Sequence, residues 1–369
     1  MTRLLDLVAL LSIAALIAAV PATAQSNDGT FFLEGLTQVR SAGAPAALDA
    51  MSDLVGQWDV TFTTYPTDST STSQPAQAII TTMNRGHGYM ERLFTADFDG
   101  SGQERSTMTF LTFTPSANQW TMGTVDSFTE SVQLFNGDLT DGNLVVRDAQ
   151  RRLGSTFLVH YRVTITPDGP DRFTQELHTS TDYGETWRAR ITKTYARRAE
   201  TDGFMAGLSS FGSPAANLPK EARQFDFMIG EWTGQNTINQ PGGQRAQWQA
   251  TATAGYVLNG HAVLEYHWFD TDPGLPDAAT TIVRIYNRAM RRWDCLYLNN
   301  RGNSPLYFGG SMDGDEMVLH SFTTDTASPI SRYVFHSIEA DRYQWYGATS
   351  TDRGDSFAKG WIIDIKRND

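Results

Sequence analysis

The chain has 369 residues, a formal net charge of −12 at pH 7 and a single cysteine, Cys295. An acidic excess of that size repels polyanions, so nucleic acid and anionic membrane surfaces are disfavoured as partners by long-range electrostatics. One cysteine excludes an intramolecular disulfide, and 369 residues leave room for two domains stabilised by their own cores.

The N-terminus carries Arg3, an apolar run from Leu4-Leu5 to Val20, and Ala22-Thr23-Ala24 with small residues ahead of a cut before Gln25. This reads as a secretory signal peptide over 1–24 and implies a periplasmic or secreted protein. Asp6 interrupts the run, which keeps an uncleaved anchor open as the other reading. The apolar core is short for a bilayer span, which takes about 20 apolar residues, so no membrane span is expected after cleavage. No cysteine stands at the cut to take a lipid.

A lead-in over 25–49 contains Gly43-Ala44-Pro45-Ala46-Ala47-Leu48, and a second over 199–221 contains Ser213-Pro214-Ala215-Ala216-Asn217-Leu218. Two readings stand open for each: a short helical turn lying across the end of its own barrel, or a flexible linker. After each lead-in the chain repeats itself. Met51-Ser52-Asp53-Leu54-Val55-Gly56-Gln57-Trp58 is answered by Phe225-Asp226-Phe227-Met228-Ile229-Gly230-Glu231-Trp232, with Gly56 and Gly230 174 positions apart. Gly86-His87 and Glu91 answer Gly260-His261 and Glu265 at the same offset, which drifts to 173 at Trp120 and Trp293 and to 170 at Asp171-Arg172-Phe173 and Asp341-Arg342-Tyr343. Loops tolerate such length changes and paired strands do not. The repeat defines two domains, 50–198 and 222–369.

Within each half Thr107–Phe113 alternates polar and apolar, Thr114–Asn118 breaks the pattern and Trp120 resumes it. Thr280–Tyr286 and Trp293–Leu298 echo this hairpin. Turns are expected at Asn136-Gly137, Asp141-Gly142, Asp168-Gly169, Asp313-Gly314 and Arg353-Gly354. Strands recur about every 8 to 15 residues with no long helical pattern, which makes the chain all-β and antiparallel. Ser180-x-Asp182-x-Gly184-x-x-Trp187 and Ser350-x-Asp352-x-Gly354-x-x-Phe357 look like the Asp-box of sialidase-type propellers. Blades repeat at about 40 to 50 residues, however, and two copies 170 apart read better as hairpins in which Asp182 and Asp352 bind backbone amides across a glycine turn.

A Gly-x-Trp opening the first strand of an all-antiparallel domain resembles the calycin superfamily, and Phe227-Met228-Ile229-Gly230-Glu231-Trp232 is similar to bacterial lipocalin-like domains of unestablished function. The resemblance implies two tandem antiparallel lipocalin-like β-barrels with short helical lead-ins. It also implies that Trp58 and Trp232 each close one barrel end beneath a basic side chain from the last strand, Arg197 and Arg367. A barrel of eight or so strands has an interior just wide enough for side chains or one small ligand.

Residues two apart on a strand share a face, so His87, Tyr89 and Glu91 point one way, as do His261, Val263, Glu265 and His267. If inward, Glu91 and Glu265 are carboxylates in apolar cavities with raised pKa values, usable as acid, base or ligand anchor. Alternatively each is a structural carboxylate paired with an arginine such as Arg105 or Arg284. For a metal, His261 and Glu265 at roughly 13 Å are too far apart, whereas Glu265 and His267 at roughly 6.6 Å need a third ligand such as His320 or His336. Leu93 stands where His267 would be in the first half, so no metal is expected, and no cofactor motif is present. Aromatic residues form 11% of the chain and crowd the second half, where Tyr286, Tyr297 and Trp345 are candidate pocket walls and Tyr89 their counterpart in the first. The reading that follows is an exported protein binding a small hydrophobic or aromatic molecule in the second barrel. The alternatives are an isomerase, lyase or hydrolase using Glu265 with His261 or His267, and a filled-barrel envelope interaction module. Oligomeric state is not legible.

Overall fold

The computed structural model describes residues 41, 43–95, 105–151, 158–199, 211–239, 244–268, 278–302, 305–322 and 329–368. The signal-peptide stretch 1–24, most of the first lead-in and residues 200–210 of the second lie outside them. Among the described residues no helix is long and apolar enough to cross a membrane.

The first half forms β1 (Gly56–Thr67), β2 (Thr70–Met83), β3 (Gly88–Thr95), β4 (Arg105–Thr114), β5 (Gln119–Asp126), β6 (Ser131–Thr140), β7 (Asn143–Arg151), β8 (Leu158–Pro167), β9 (Arg172–Ser180) and β10 (Arg188–Arg197). The second forms β11 (Gly230–Asn239), β12 (Arg245–Val257), β13 (Ala262–Trp268), β14 (Ala279–Asn287), β15 (Arg292–Asn299), β16 (Leu306–Asp313), β17 (Glu316–Ser321), β18 (Ile330–His336), β19 (Arg342–Ser350) and β20 (Ala358–Arg367). Each set is a closed antiparallel barrel in which successive strands pair and the first pairs with the last. Closure removes every sheet edge. Ten strands per barrel, rather than eight or so, widen the interior, since diameter grows with strand number.

Both lead-ins end in 3₁₀ segments that plug their own barrel. Ala46–Leu54 buries Leu48, Met51 and Leu54, while Lys220–Arg223 and Asp226–Met228 bury Ala222 and Met228 around a fully buried Phe225. The tryptophan of each Gly-x-Trp fixes its plug: the indole of Trp58 donates to the Leu54 carbonyl at 2.9 Å, and that of Trp232 to Met228 at 2.7 Å. The last strand caps it. Arg197 lies 4.3 Å over the Trp58 ring and Arg367 4.1 Å over Trp232, a cation–π contact. Their guanidinium groups also donate to the carbonyls of Val55 and Ile229. A Cβ at Gly56 or Gly230 would stand 2.3 or 2.5 Å from the arginine Nη1, which is why the motif begins with glycine.

The hairpin reading of the Asp motifs holds in both copies. Asp182 accepts from Ser180 Oγ and from the Thr186 amide, and Gly184 donates to Ser180 Oγ. Asp352, Ser356, Gly354 and Ser350 repeat the set. These hydrogen bonds hold both carboxyls well below the usual carboxylate range. One expected turn is misplaced: Asn136-Gly137 lies inside β6, where a Cβ at Gly137 would meet the Val145 carbonyl, and the chain reverses at Asp141-Gly142 instead.

The barrels pack side by side in opposite directions. Outward residues of β3 to β6 meet those of β13 to β15 in one apolar cluster that includes Met90, Phe110, Val125, Leu264, Val283 and Leu296. Asn84, at the plugged end of barrel 1, accepts from Thr281 near the unplugged end of barrel 2 at 2.8 Å. Glu130, at the unplugged end of barrel 1, pairs with Arg288 at the plugged end of barrel 2 at 2.6 Å. Gly123 and Leu296, equivalent positions of the repeat, face each other across the seam. The two repeats thus use the same face to bind each other, the arrangement of a two-fold dimer within one chain.

Candidate functional site

Strand register orders the interior of barrel 2 from the plug upward. Trp232 pairs across β12 with Ala252, Val263 pairs with Arg284, Arg284 with Cys295, and Glu265 with Ile282. Alternation turns Val263, Glu265 and His267 of β13 inward with Ile282 and Arg284 of β14, while Leu264 and Val283 go to the seam. Arg284, Glu265 and His267 therefore form a ladder climbing from the plugged floor toward the unplugged end.

Its contacts are direct. Arg284 Nη2 forms a salt bridge with Glu265 Oε2, both side chains 2% exposed, and Glu265 Oε1 is hydrogen-bonded to His267 Nε2, whose side chain is 15% exposed. The guanidinium also lies 5.1 Å over Phe225 and 5.8 Å over Phe335. Among the described residues Arg284 Nε and Nη1 have no acceptor. Burial alone would push the Glu265 carboxyl up; the charges of Arg284 and His267 and their hydrogen bonds outweigh it and hold the group at about 2. The raised pKa expected from the sequence is thus corrected: the paired, structural carboxylate is the one observed here, with Arg284 as its partner. Burial pushes the Cys295 thiol beside Arg284 up to about 12, which leaves it unreactive.

Of the other expected residues, Tyr297 and Trp345 stand inward, Tyr297 on the register line that joins Glu265 and Ile282. Trp345 stacks on Tyr333 at 6.0 Å and meets Trp361 edge-on at 5.4 Å. Tyr286 is inward but at the plug, edge-on to Trp293, so it belongs to the floor. His261 does not join the site: β13 begins at Ala262, leaving His261 in the turn, 3.7 Å from Glu130 of barrel 1. His87 likewise precedes β3 and bonds Ser41. His320 and His336 are on the outer face, beside Phe357 and Tyr346, because Leu319 and Phe335 take the inward positions next to them. Neither supplies a third ligand to Glu265 and His267.

In barrel 1 Tyr89 is committed to the plug, donating to the Leu48 carbonyl at 2.7 Å. Glu91 points inward, accepts from the Tyr195 hydroxyl at 2.5 Å and lies 3.6 Å from Lys193 Nζ. Burial, then the Glu91 charge, raises the Tyr195 phenol well above its ordinary value, so it stays a donor. Lys193, Tyr195, Tyr333 and Trp361 were not singled out from the sequence. The signal was there: Lys193 and Tyr195 share a strand face with Arg197, and Trp361 shares one with Arg367, so assigning the arginines to the barrel ends also turns these residues inward.

Residues 46–197, the first plug and barrel, match a family model described as a protein of unknown function, DUF1579. No curated protein matches the chain. Among solved structures the chain is similar to a protein of unknown function from the DUF3598 family of Nostoc punctiforme PCC 73102, at 10% identity over 88% of this chain and 100% of that one, with a TM-score of 0.25. It is also similar to an S-type phycobiliprotein lyase from Guillardia theta, at 13% identity over 39% of this chain and 90% of that one, TM-score 0.29. A third likeness is to transferrin binding protein B from Haemophilus parasuis Hp5, at 10% identity over 85% and 76%, TM-score 0.15. Likenesses this distant do not bear on activity.

Proposed function

We propose that barrel 2 binds a small hydrophobic or aromatic molecule in its upper interior, above the Arg284–Glu265–His267 ladder. The observation that carries this is an inversion of burial. Tyr297, Tyr333, Trp345 and Trp361 point inward yet are only partly buried, whereas the outward neighbours Tyr346 and Ala348 on β19 are 7% and 3% exposed. In a filled barrel the inward rings would be the most buried. Here the floor is buried, with Tyr343 at 2% exposed, and the rings above it keep part of their surface exposed. Rings of this kind give an apolar ligand its contact area, and His267 gives it a fixed polar partner. Native mass spectrometry of protein from its own source tests this: a retained non-covalent mass, lost on denaturation, supports it. A bare polypeptide mass, together with no change in tryptophan fluorescence on adding aromatic probes, overturns it and leaves the filled interaction module.

The Glu265–His267 contact favours one second reading, acid–base catalysis in the same space. Because Glu265 is held ionised and doubly engaged, it would orient, and His267 would move the proton, reversing the roles expected from the sequence. His267→Gln separates the two readings: a binder keeps its ligand with a modest loss of affinity, while an isomerase, lyase or hydrolase loses about 100-fold or more in turnover with ligand still bound. Export is proposed on Arg3, the apolar run and Ala22-Thr23-Ala24. Mature protein should begin at Gln25, and N-terminal sequencing that finds Met1 or Thr2 removes that part of the proposal.

A further inference from the structure

The buried carboxylate recurs in both barrels, but its cation does not. Of 29 basic residues only four are lysines, Lys193, Lys220, Lys359 and Lys366. The last three are exposed, whereas Lys193 points into barrel 1 at 8% exposure, between Phe62 and Gln175 on the neighbouring strands. Its partner among the described residues is Glu91, at 3.6 Å, a loose ion pair rather than a hydrogen bond. In barrel 2 the equivalent carboxylate is gripped directly by Arg284, and Ile363 stands where Lys193 would be. An arginine therefore satisfies the need for a counter-ion, more tightly, in the other copy. What lysine adds is chemistry, because a desolvated ammonium can give up its proton and become a nucleophile, and a guanidinium cannot.

The surroundings suit such a role. Tyr161, Leu177 and Ile191 point inward around the space above Lys193 and are only partly buried. Thr107 Oγ1 and Gln74 Nε2 also face the interior, without hydrogen-bond partners among the described residues. We propose that barrel 1 is a second binding site, which takes an aldehyde carried on an apolar or ring-bearing body and holds it as an imine on Lys193. Lys193 passes a proton to Glu91, and the freed nitrogen lone pair attacks the carbonyl carbon to give a carbinolamine. The carbinolamine oxygen then leaves as water, taking the proton back from Glu91. The product is a protonated C=N bond with Glu91 as its counter-ion. One water is released, total charge is unchanged, and no oxidant or reductant is consumed.

The test is independent of what barrel 2 binds. The full-length protein is incubated with one equivalent of cinnamaldehyde at neutral pH, reduced with sodium cyanoborohydride and mapped by peptide mass spectrometry. The expected result is a single stable adduct, carried mostly by Lys193, and its loss in Lys193→Arg, which keeps a cation opposite Glu91. Adducts on Lys220, Lys359 and Lys366 with Lys193 unmodified overturn the proposal, as does undiminished labelling of a folded Lys193→Arg protein. If that variant fails to fold, the site-resolved map of the unmodified sequence decides alone.

Discussion

Glu265→Gln is the substitution that most sharply probes the interior of barrel 2. It keeps shape and hydrogen-bonding capacity but strands Arg284, whose side chain is 2% exposed and whose Nε and Nη1 have no acceptor among the described residues. Breaking a buried pair from one side costs about 3–5 kcal/mol, because a charge is left uncompensated. The carboxyl itself gives a similar figure: held at about 2 against an ordinary 4.5, it contributes roughly 3 kcal/mol. The sign follows from the lowered value. The contribution is fully present above about pH 4.5 and is lost as the pH falls through about 2. Urea denaturation at pH 7 should show Glu265→Gln destabilised by about 3 kcal/mol or more, and adding Arg284→Met should recover most of it, since it removes the uncompensated buried charge that sets the cost. A single variant within about 1 kcal/mol of the unaltered protein, or a double variant less stable than the single, would refute the ladder as an energetic unit.

Other outcomes follow from the rest of the molecule. Arg367→Ala removes a cation–π contact with Trp232 and hydrogen bonds to Ile229 and Ala340; thermal unfolding should show a loss of about 1–3 kcal/mol, with the plug exposed to hydrogen exchange first. Val283→Asp puts a carboxylate into the fully buried seam while leaving the barrel interior untouched, so calorimetry should resolve two transitions where the unaltered protein gives one. Asp352→Ala removes the acceptor that organises the β19–β20 hairpin, and limited proteolysis should cut at Arg353 with both barrels intact.

Much of the fold was legible because it is written twice. The matched offsets fixed two similar halves, and Gly-x-Trp with the terminal arginines fixed where each barrel closes. Period-two alternation turned Glu265 and His267 to one face, but it could not say that β13 begins at Ala262, and that single residue removes His261 from the site. The sign of the Glu265 shift was also hidden, since it depends on Arg284 lying one strand away and within reach, and burial by itself argues the other way. The seam had a signal that alternation obscures. All nine residues of β14 are buried, so Thr280–Tyr286 marks a strand covered on both faces, inside by the barrel core and outside by the other barrel. The strand count was not legible because the hairpin turns carry mixed chemistry, and Asn136-Gly137 has the composition of a turn inside a continuous strand.

The most direct measurement is a crystal structure of the protein purified from its own source, read at the interior of barrel 2. Density for a non-protein molecule is expected against Trp345, Tyr297 and Trp361 with a polar atom at His267, above a sealed floor of Arg284 and Glu265. Side chains filling that space completely, or a Glu265 turned to solvent, would contradict it.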